Sequence, residues 1–170
     1  MSNMFYNSKF NGDISNWDVS NLHNPAWMFY NSEFNGDLSE WDVSNITNMD
    51  NMFTGSKFTG KNGDLSKWDV RNVRSMYNTF SNSEFTGDIS KWDVSNVKNM
   101  MYMFEGSKFD GDISKWDVSN VTDMNSMFYN SKFSGDISNW NVKNVKYKKN
   151  MYKMFANSPL KNNPPSWYKQ

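Results

Sequence analysis

The chain contains no cysteine. That excludes disulfides, thiolate metal sites and a cysteine nucleophile. His23 is the only histidine, so neither a catalytic triad nor a zinc site can be assembled around it, and a surface role is its default. No apolar run approaches the roughly 20 residues that cross a bilayer, and the opening MSNMFYNSKF has neither the basic nor the apolar region of a signal peptide. No membrane span is expected. If the chain is complete, the missing signal points to the cytoplasm; if it is cut from a longer one, export stays open. Charge of one sign is lacking too: 18 Lys and Arg balance 18 Asp and Glu. With no global field, no direct nucleic-acid partner is expected. Alanine occurs only at Ala26 and Ala156, and arginine only at Arg71 and Arg74.

What is present is one phrase said many times. Trp17, Trp41, Trp68, Trp92, Trp116 and Trp140 each follow a Gly-Asp-(Ile/Leu)-Ser-x run and precede x-Val, at separations of 24, 27, 24, 24 and 24 residues. A fixed period in that range is the mark of a solenoid, in which each unit buries its apolar face only by stacking on its neighbours. Aligned on a repeated phenylalanine (Phe5, Phe29, Phe53, Phe80, Phe104, Phe128 and Phe155), the chain holds about seven coils. With no linker between them, residues 1–170 are expected to form a single solenoid domain.

The core is predicted from the columns of this alignment: two of Phe, one of Ile or Leu, the tryptophans, the valines that follow them, and Leu22, Ile46, Val73, Val97, Val121 and Val145, with methionines ahead of the first Phe. In Trp116-Asp117-Val118 and its equivalents, apolar residues flank a polar one, which predicts a short strand with Trp and Val inward and Asp outward. Val121, Met124, Met127 and Phe128 are spaced as a helical stripe, with Thr122 as its N-cap. Gly-Asp before each Ile or Leu is a turn signal, the glycine being free to take a positive φ. The predicted fold class is therefore a leucine-rich-repeat-like solenoid with one short parallel strand and one short α or 3-10 helix per 24-residue coil. Its Trp, Val, Ile, Met and Phe columns stack as the core, the tryptophans contributing most to stability.

Two coils are three residues longer, at Gly60-Lys61-Asn62 and near Tyr147-Lys148-Lys149. Both are read as surface extrusions. Residues 1–23 form an uncapped first coil whose open apolar end implies missing upstream sequence or a self-association surface. Residues 156–170 keep Trp167 in register but replace Gly-Asp-Ile-Ser with Asn162-Asn163-Pro164-Pro165. Prolines cannot donate to a ladder, so this segment reads as a C-terminal cap.

The unit N-V-T-x-M-x-x-M-F-x-x-S-x-F-x-G-D-I-S-x-W-D-V resembles the mycoplasma-type surface-protein repeats of the BspA-like leucine-rich class. Met127-Phe128 stands where that class has Ala-Phe, Ser131 where it has Cys, and Trp116-Asp117-Val118 where it has its strand. The resemblance runs from Met4 to Trp167. It implies a binding or adhesion module of bacterial cell-surface proteins, found also in phage and viral genomes.

Candidate sites are few. Asp18, Asp42, Asp69, Asp93 and Asp117 form an outward ladder, and Lys67, Lys91 and Lys115 lie two residues ahead of the last three. These could compensate the carboxylates or, together with them, dock a charged partner. A second column, Asp13, Asp37, Asp64, Asp88, Asp112 and Asp136, is too sparse for calcium and is read as turn-capping. No metal or other cofactor is expected. The serine column from Ser8 to Ser158 recurs too often to hold a nucleophile and is read as structural, bonding backbone between coils. Aromatics that break otherwise polar columns are more informative. Trp27 and Tyr102 stand two residues before the repeated Phe, Tyr77 three before, and Tyr30 one after. Exposed Tyr and Trp on a rigid frame are the material of protein-binding hot spots. A ridge of Trp27, Tyr30, Tyr77 and Tyr102 is the expected contact surface.

The expected function is non-enzymatic: a scaffold or adhesion-type module binding a protein, or a surface glycan, through an extended face. A cytosolic inhibitor, encoded by a phage or mobile element and occluding a host nucleic-acid-processing protein, is the alternative. A hydrolase lacks any unrepeated acid, base and nucleophile set.

Overall fold

The structure, a computed structural model, describes residues 2–169. Met1 and Gln170, the outer limits of the expected domain, lie outside the described residues. Among the described residues there is no strand beyond isolated bridges and no α-helix: the regular elements are 3-10 helices at Leu65–Lys67, Lys148–Met151 and Pro159–Lys161. The rest of the chain is built from turns, and the reason lies in alternate residues of the segment around the repeated Phe.

In the Phe104 repeat, the N–H groups of Met100, Tyr102, Phe104 and Gly106 donate to the carbonyls of Asp123, Asn125, Met127 and Tyr129 one repeat later, at 2.9, 3.0, 2.9 and 2.8 Å. The amides between them turn back on their own repeat, Met103 to Met100, Glu105 to Tyr102 and Ser107 to Phe104, each three residues away. The segment is a ribbon of overlapping turns whose outer amides knit successive repeats together. Isolated parallel bridges at Asn48–Ser75, Ser75–Asn99 and Asn99–Asp123 lie at its start.

This differs from the expected strand and helix. Trp116-Asp117-Val118 spans the junction of two turns, closed by Trp116 N–H to Ile113 and Val121 N–H to Val118, and carries no bridge. The Val121–Phe128 stripe is the turn ribbon, not a helix. Thr122 is not an N-cap: its amide and Oγ1 both donate to the Lys98 carbonyl of the preceding repeat. A helix is ruled out there because the ribbon takes a left-handed φ twice per repeat. The first series is Asn3, Trp27, Asn51, Asn78, Tyr102, Ser126 and Lys153; the second is Asn7, Asn31, Gly55, Asn82, Gly106, Asn130 and Asn157.

Side chains complete the register. Rings of the first Phe column stack along its whole length, from Phe5–Phe29 at 5.2 Å to Phe128–Phe155 at 5.9 Å, each pair within 8° of parallel. The second column stacks the same way from Phe34 to Phe133. Trp41, Trp68, Trp92, Trp116 and Trp140 are buried, and Trp68 stacks on Trp92 at 6.2 Å. Each indole N–H donates to the Ile or Leu carbonyl of the preceding repeat, for example Trp92 to Leu65 at 2.8 Å and Trp116 to Ile89 at 3.1 Å. Trp167 repeats the arrangement, bonding Ile137 and stacking on Trp140. Trp17 and Phe10 depart from the expected core, being 39% and 38% exposed. A buried indole needs a partner for its one donor, so the carbonyl contact is a condition of burial.

The Gly-Asp glycines do not take a positive φ; Gly55, Gly60 and Gly106 are the glycines that do. At Gly111, an added Cβ would stand 2.7 Å from the Phe109 ring. Glycine is needed there because the second phenylalanine folds over its backbone. The Gly60-Lys61-Asn62 extension is an irregular bend followed by a 3-10 turn at Leu65–Lys67, which Asp64 caps by accepting from Ser66 N–H, and the second extension takes up the 3-10 turn Lys148–Met151 after Tyr147.

Candidate functional site

Every aspartate of the Gly-Asp column accepts from the amide two residues on: Asp13 from Ser15, Asp37 from Ser39, Asp64 from Ser66, Asp88 from Ser90, Asp112 from Ser114 and Asp136 from Ser138, at 2.8–2.9 Å. The outward column does the same at Asp18, Asp42, Asp69, Asp93 and Asp117. At Asp93, hydrogen bonds from the Ser95 hydroxyl and amide hold the carboxyl below its ordinary range, and Asp117 below it works against them. These carboxylates are committed to turns. No cluster of three or more His, Asp or Glu able to hold a metal occurs among the described residues.

Lys67, Lys91 and Lys115 do not pair with that column. Asp69 is bridged instead by Arg71, whose Nε lies 2.8 Å from its Oδ1. Lys67 and Lys91 act weakly on Asp64, and Lys115 on Asp112, each lowering the carboxyl after the dominant Ser hydrogen bonds. A lysine two residues before an outward Asp sits across a turn from it, so the expected compensation goes to the other column. Lys67, Asp69, Arg71, Lys91 and Asp93 line a shallow depression of about 200 Å³. His23 is exposed, its Nδ1 lying 2.8 Å from the Asn21 carbonyl.

The four ridge aromatics fall into two groups. Trp27 packs on Tyr30 at 4.9 Å, and Tyr6 stacks on Tyr30 at 4.9 Å and 6°. Tyr77 meets Tyr102 edge-on at 6.0 Å. Asn51 and Thr54 occupy the equivalent positions between the groups and are buried. Trp27 is 38% exposed, and Tyr30, Tyr77 and Tyr102 are half-buried. Trp27 and Tyr102 sit in the first left-handed series, at φ 62° and 58°. Bulky L-residues are disfavoured there by about 1–2 kcal/mol, whereas Asn tolerates the conformation.

Two features escaped the reading of the sequence. The side chains of the serine column bond backbone within their own repeat and not between repeats: Ser83 Oγ donates to the Phe80 carbonyl, while Ser32 and Ser107 Oγ accept from the amide two residues on. More consequentially, the even overall charge conceals a split: residues 137–170 hold seven lysines and no Asp or Glu, so they carry +7 and residues 1–136 carry −7. Counting charge in segments would have shown it.

No helix among the described residues is long and apolar enough to cross a membrane. Neither the curated proteins nor the solved structures contain a match to the chain. Two overlapping stretches, residues 1–84 and 56–167, match a mycoplasma protein family of unknown function, DUF285. Between them they take in the whole run of repeats, and the chain belongs to the DUF285 family.

Proposed function

We propose that the chain is a single leucine-rich-repeat-like solenoid acting without catalysis, a rigid module that binds a protein partner through Trp27, Tyr30, Tyr77 and Tyr102. The family match agrees with a mycoplasma-type repeat. The BspA-like kinship, the adhesion role and the cell-surface location belong to this proposal.

The observation that carries it is the backbone at Trp27 and Tyr102. Of the other five repeats, three fill that position with Asn, at residues 3, 51 and 78, which is what the conformation favours, and two with the polar Ser126 and Lys153. Large aromatics there are sustained against local preference, and strain of this kind gathers where surfaces are used. Tyr30 and Tyr77 lie beside them, so each group offers a broad, stiff contact area with few rotatable bonds.

The test replaces each aromatic with a residue that another repeat holds in the same column: Trp27→Asn, Tyr30→Thr, Tyr77→Asn and Tyr102→Asn. Partners are cross-linked from host lysate to wild-type and fourfold-substituted protein, and both are melted. Partner capture is expected to fall at least about tenfold, equivalent to 1.4 kcal/mol, with the melting temperature held or raised. Unchanged capture, or a collapse of the melting temperature, defeats the proposal.

A further inference from the structure

The inter-repeat ladder ends at the segment around Phe155. Ser126, Phe128 and Asn130 N–H donate to the carbonyls of Tyr152, Met154 and Ala156 at 3.0, 3.0 and 2.9 Å. The next donors in the series, the amides of Lys153, Phe155 and Asn157, have no acceptor among the described residues. Their first-repeat counterparts, Asn3, Phe5 and Asn7, bond to Ala26, Met28 and Tyr30. The last repeat thus carries a comb of unpaired backbone donors on alternate residues, with Lys153 and Asn157 exposed and Phe155 only 1% exposed beside the Trp167 and Tyr168 rings.

A cleft of about 610 Å³ opens beside this edge and reaches it at Lys153 and Ala156. Met151, Ala156 and Tyr168 give it an apolar floor, and Lys149, Lys153 and Lys161 stand on its rim. The Lys149 and Lys153 ammonium groups lie 5.6 and 5.2 Å from the ring centroids of Tyr147 and Tyr152. None of the three rim lysines pairs with a carboxylate among the described residues; the ion pairs involve Lys57, Arg71 and Lys108 instead. The cleft belongs to the +7 end of the chain, where no acid is available in sequence.

We propose that this cleft is a second binding site, separate from the aromatic groups, and that it takes an acidic peptide segment of a partner protein. Backbone carbonyls of the peptide accept from Lys153, Phe155 and Asn157, its carboxylates meet Lys149, Lys153 and Lys161, and an apolar side chain enters between Met151 and Tyr168. A comb of donors on alternate residues selects a polypeptide, because carbonyls on every second residue are what it offers. A phosphodiester or lipid headgroup satisfies the lysines but brings neither that row of acceptors nor a side chain for the floor. Unpaired backbone donors and unpaired lysines both gain from the same acidic chain.

The experiment uses the whole chain and a short fluorescein-labelled peptide alternating Glu and Leu, followed by fluorescence anisotropy. Lys149→Glu, Lys153→Glu and Lys161→Glu together are expected to weaken binding at least about tenfold. Lys9→Glu, Lys61→Glu and Lys132→Glu, an equal charge change at exposed sites elsewhere, are expected to leave it within about twofold. In the unsubstituted protein, the peptide is expected to slow amide hydrogen exchange across residues 151–158. Equal loss in both triples overturns the proposal. So does peptide binding without slowed exchange, or displacement of the peptide by oligothymidylate or phosphatidylserine vesicles at equal charge concentration.

Discussion

Two residues after each repeated Phe the backbone turns left-handed, and all seven positions hold Asn or Gly. Asn reaches that conformation at little cost, Gly at none, and other L-residues only against a steric penalty. Asn130, at φ 54°, is exposed and makes its inter-repeat amide bond to Ala156 at 2.9 Å. Asn130→Ala is therefore expected to destabilise the protein by about 1 kcal/mol and Asn130→Gly to be close to neutral, as read from urea denaturation midpoints. Equal effects would mean that the side chain, not the φ angle, is what the position selects. The pattern was legible in the sequence. A column restricted to Asn and Gly through seven repeats is a φ signal, and it outranks the apolar spacing that read as a helix. The indole contact was not legible, since nothing in a Trp codon says which carbonyl its N–H will meet.

At the level of elements, the repeat is a succession of turns, and many are pinned by an Asp accepting from a Ser two residues later. Spacing of Asp and Ser made the capping role readable, while the expected strand failed because W-D-V alternation is also what two abutting turns produce. The Ser114 hydroxyl, then its amide, lower the Asp112 carboxyl, whereas the Ser138 amide leads at Asp136. A carboxyl lowered on folding binds fewer protons in the native state than in the unfolded chain. Its contribution is complete above the ordinary value of 3.8 and is lost as pH falls through the lowered native value. Glu105 has the opposite sign, since burial raises its carboxyl against a Ser81 hydroxyl bond, so its cost to the folded state is relieved as pH falls through that raised value to the ordinary 4.5. The melting temperature is thus expected to fall steeply below the carboxylate range. Asp112→Asn with Asp136→Asn, which keep the turns but do not titrate, should flatten that fall. An unaltered acid limb would show that these turns do not set it.

Across the whole molecule, the bonds between repeats join immediate neighbours: ring stacks, indole contacts and backbone amides link residues about one period apart. In such an array stability is close to a sum of unit and nearest-neighbour terms. Deleting residues 89–112, one 24-residue period that joins Asp88 to Ile113, should leave a cooperatively folding protein of lower melting temperature. Deleting residues 89–100, half a period, should abolish the transition in circular dichroism. If the two deletions behave alike, the solenoid reading fails. The period was plain from the tryptophans, and the Phe columns followed from it. The charge split and the donor comb at the last repeat lay beyond a reading based on net charge and columns.

Around each repeated Phe the alternate amides bond forward to the carbonyls of the following repeat, while the amides flanking that stretch, such as Thr122 and Lys132, bond back to the preceding one. An in-frame tandem duplication inserted at any boundary meets acceptors on one side and donors on the other, so a gene of this kind can lengthen by copying without designing a new joint.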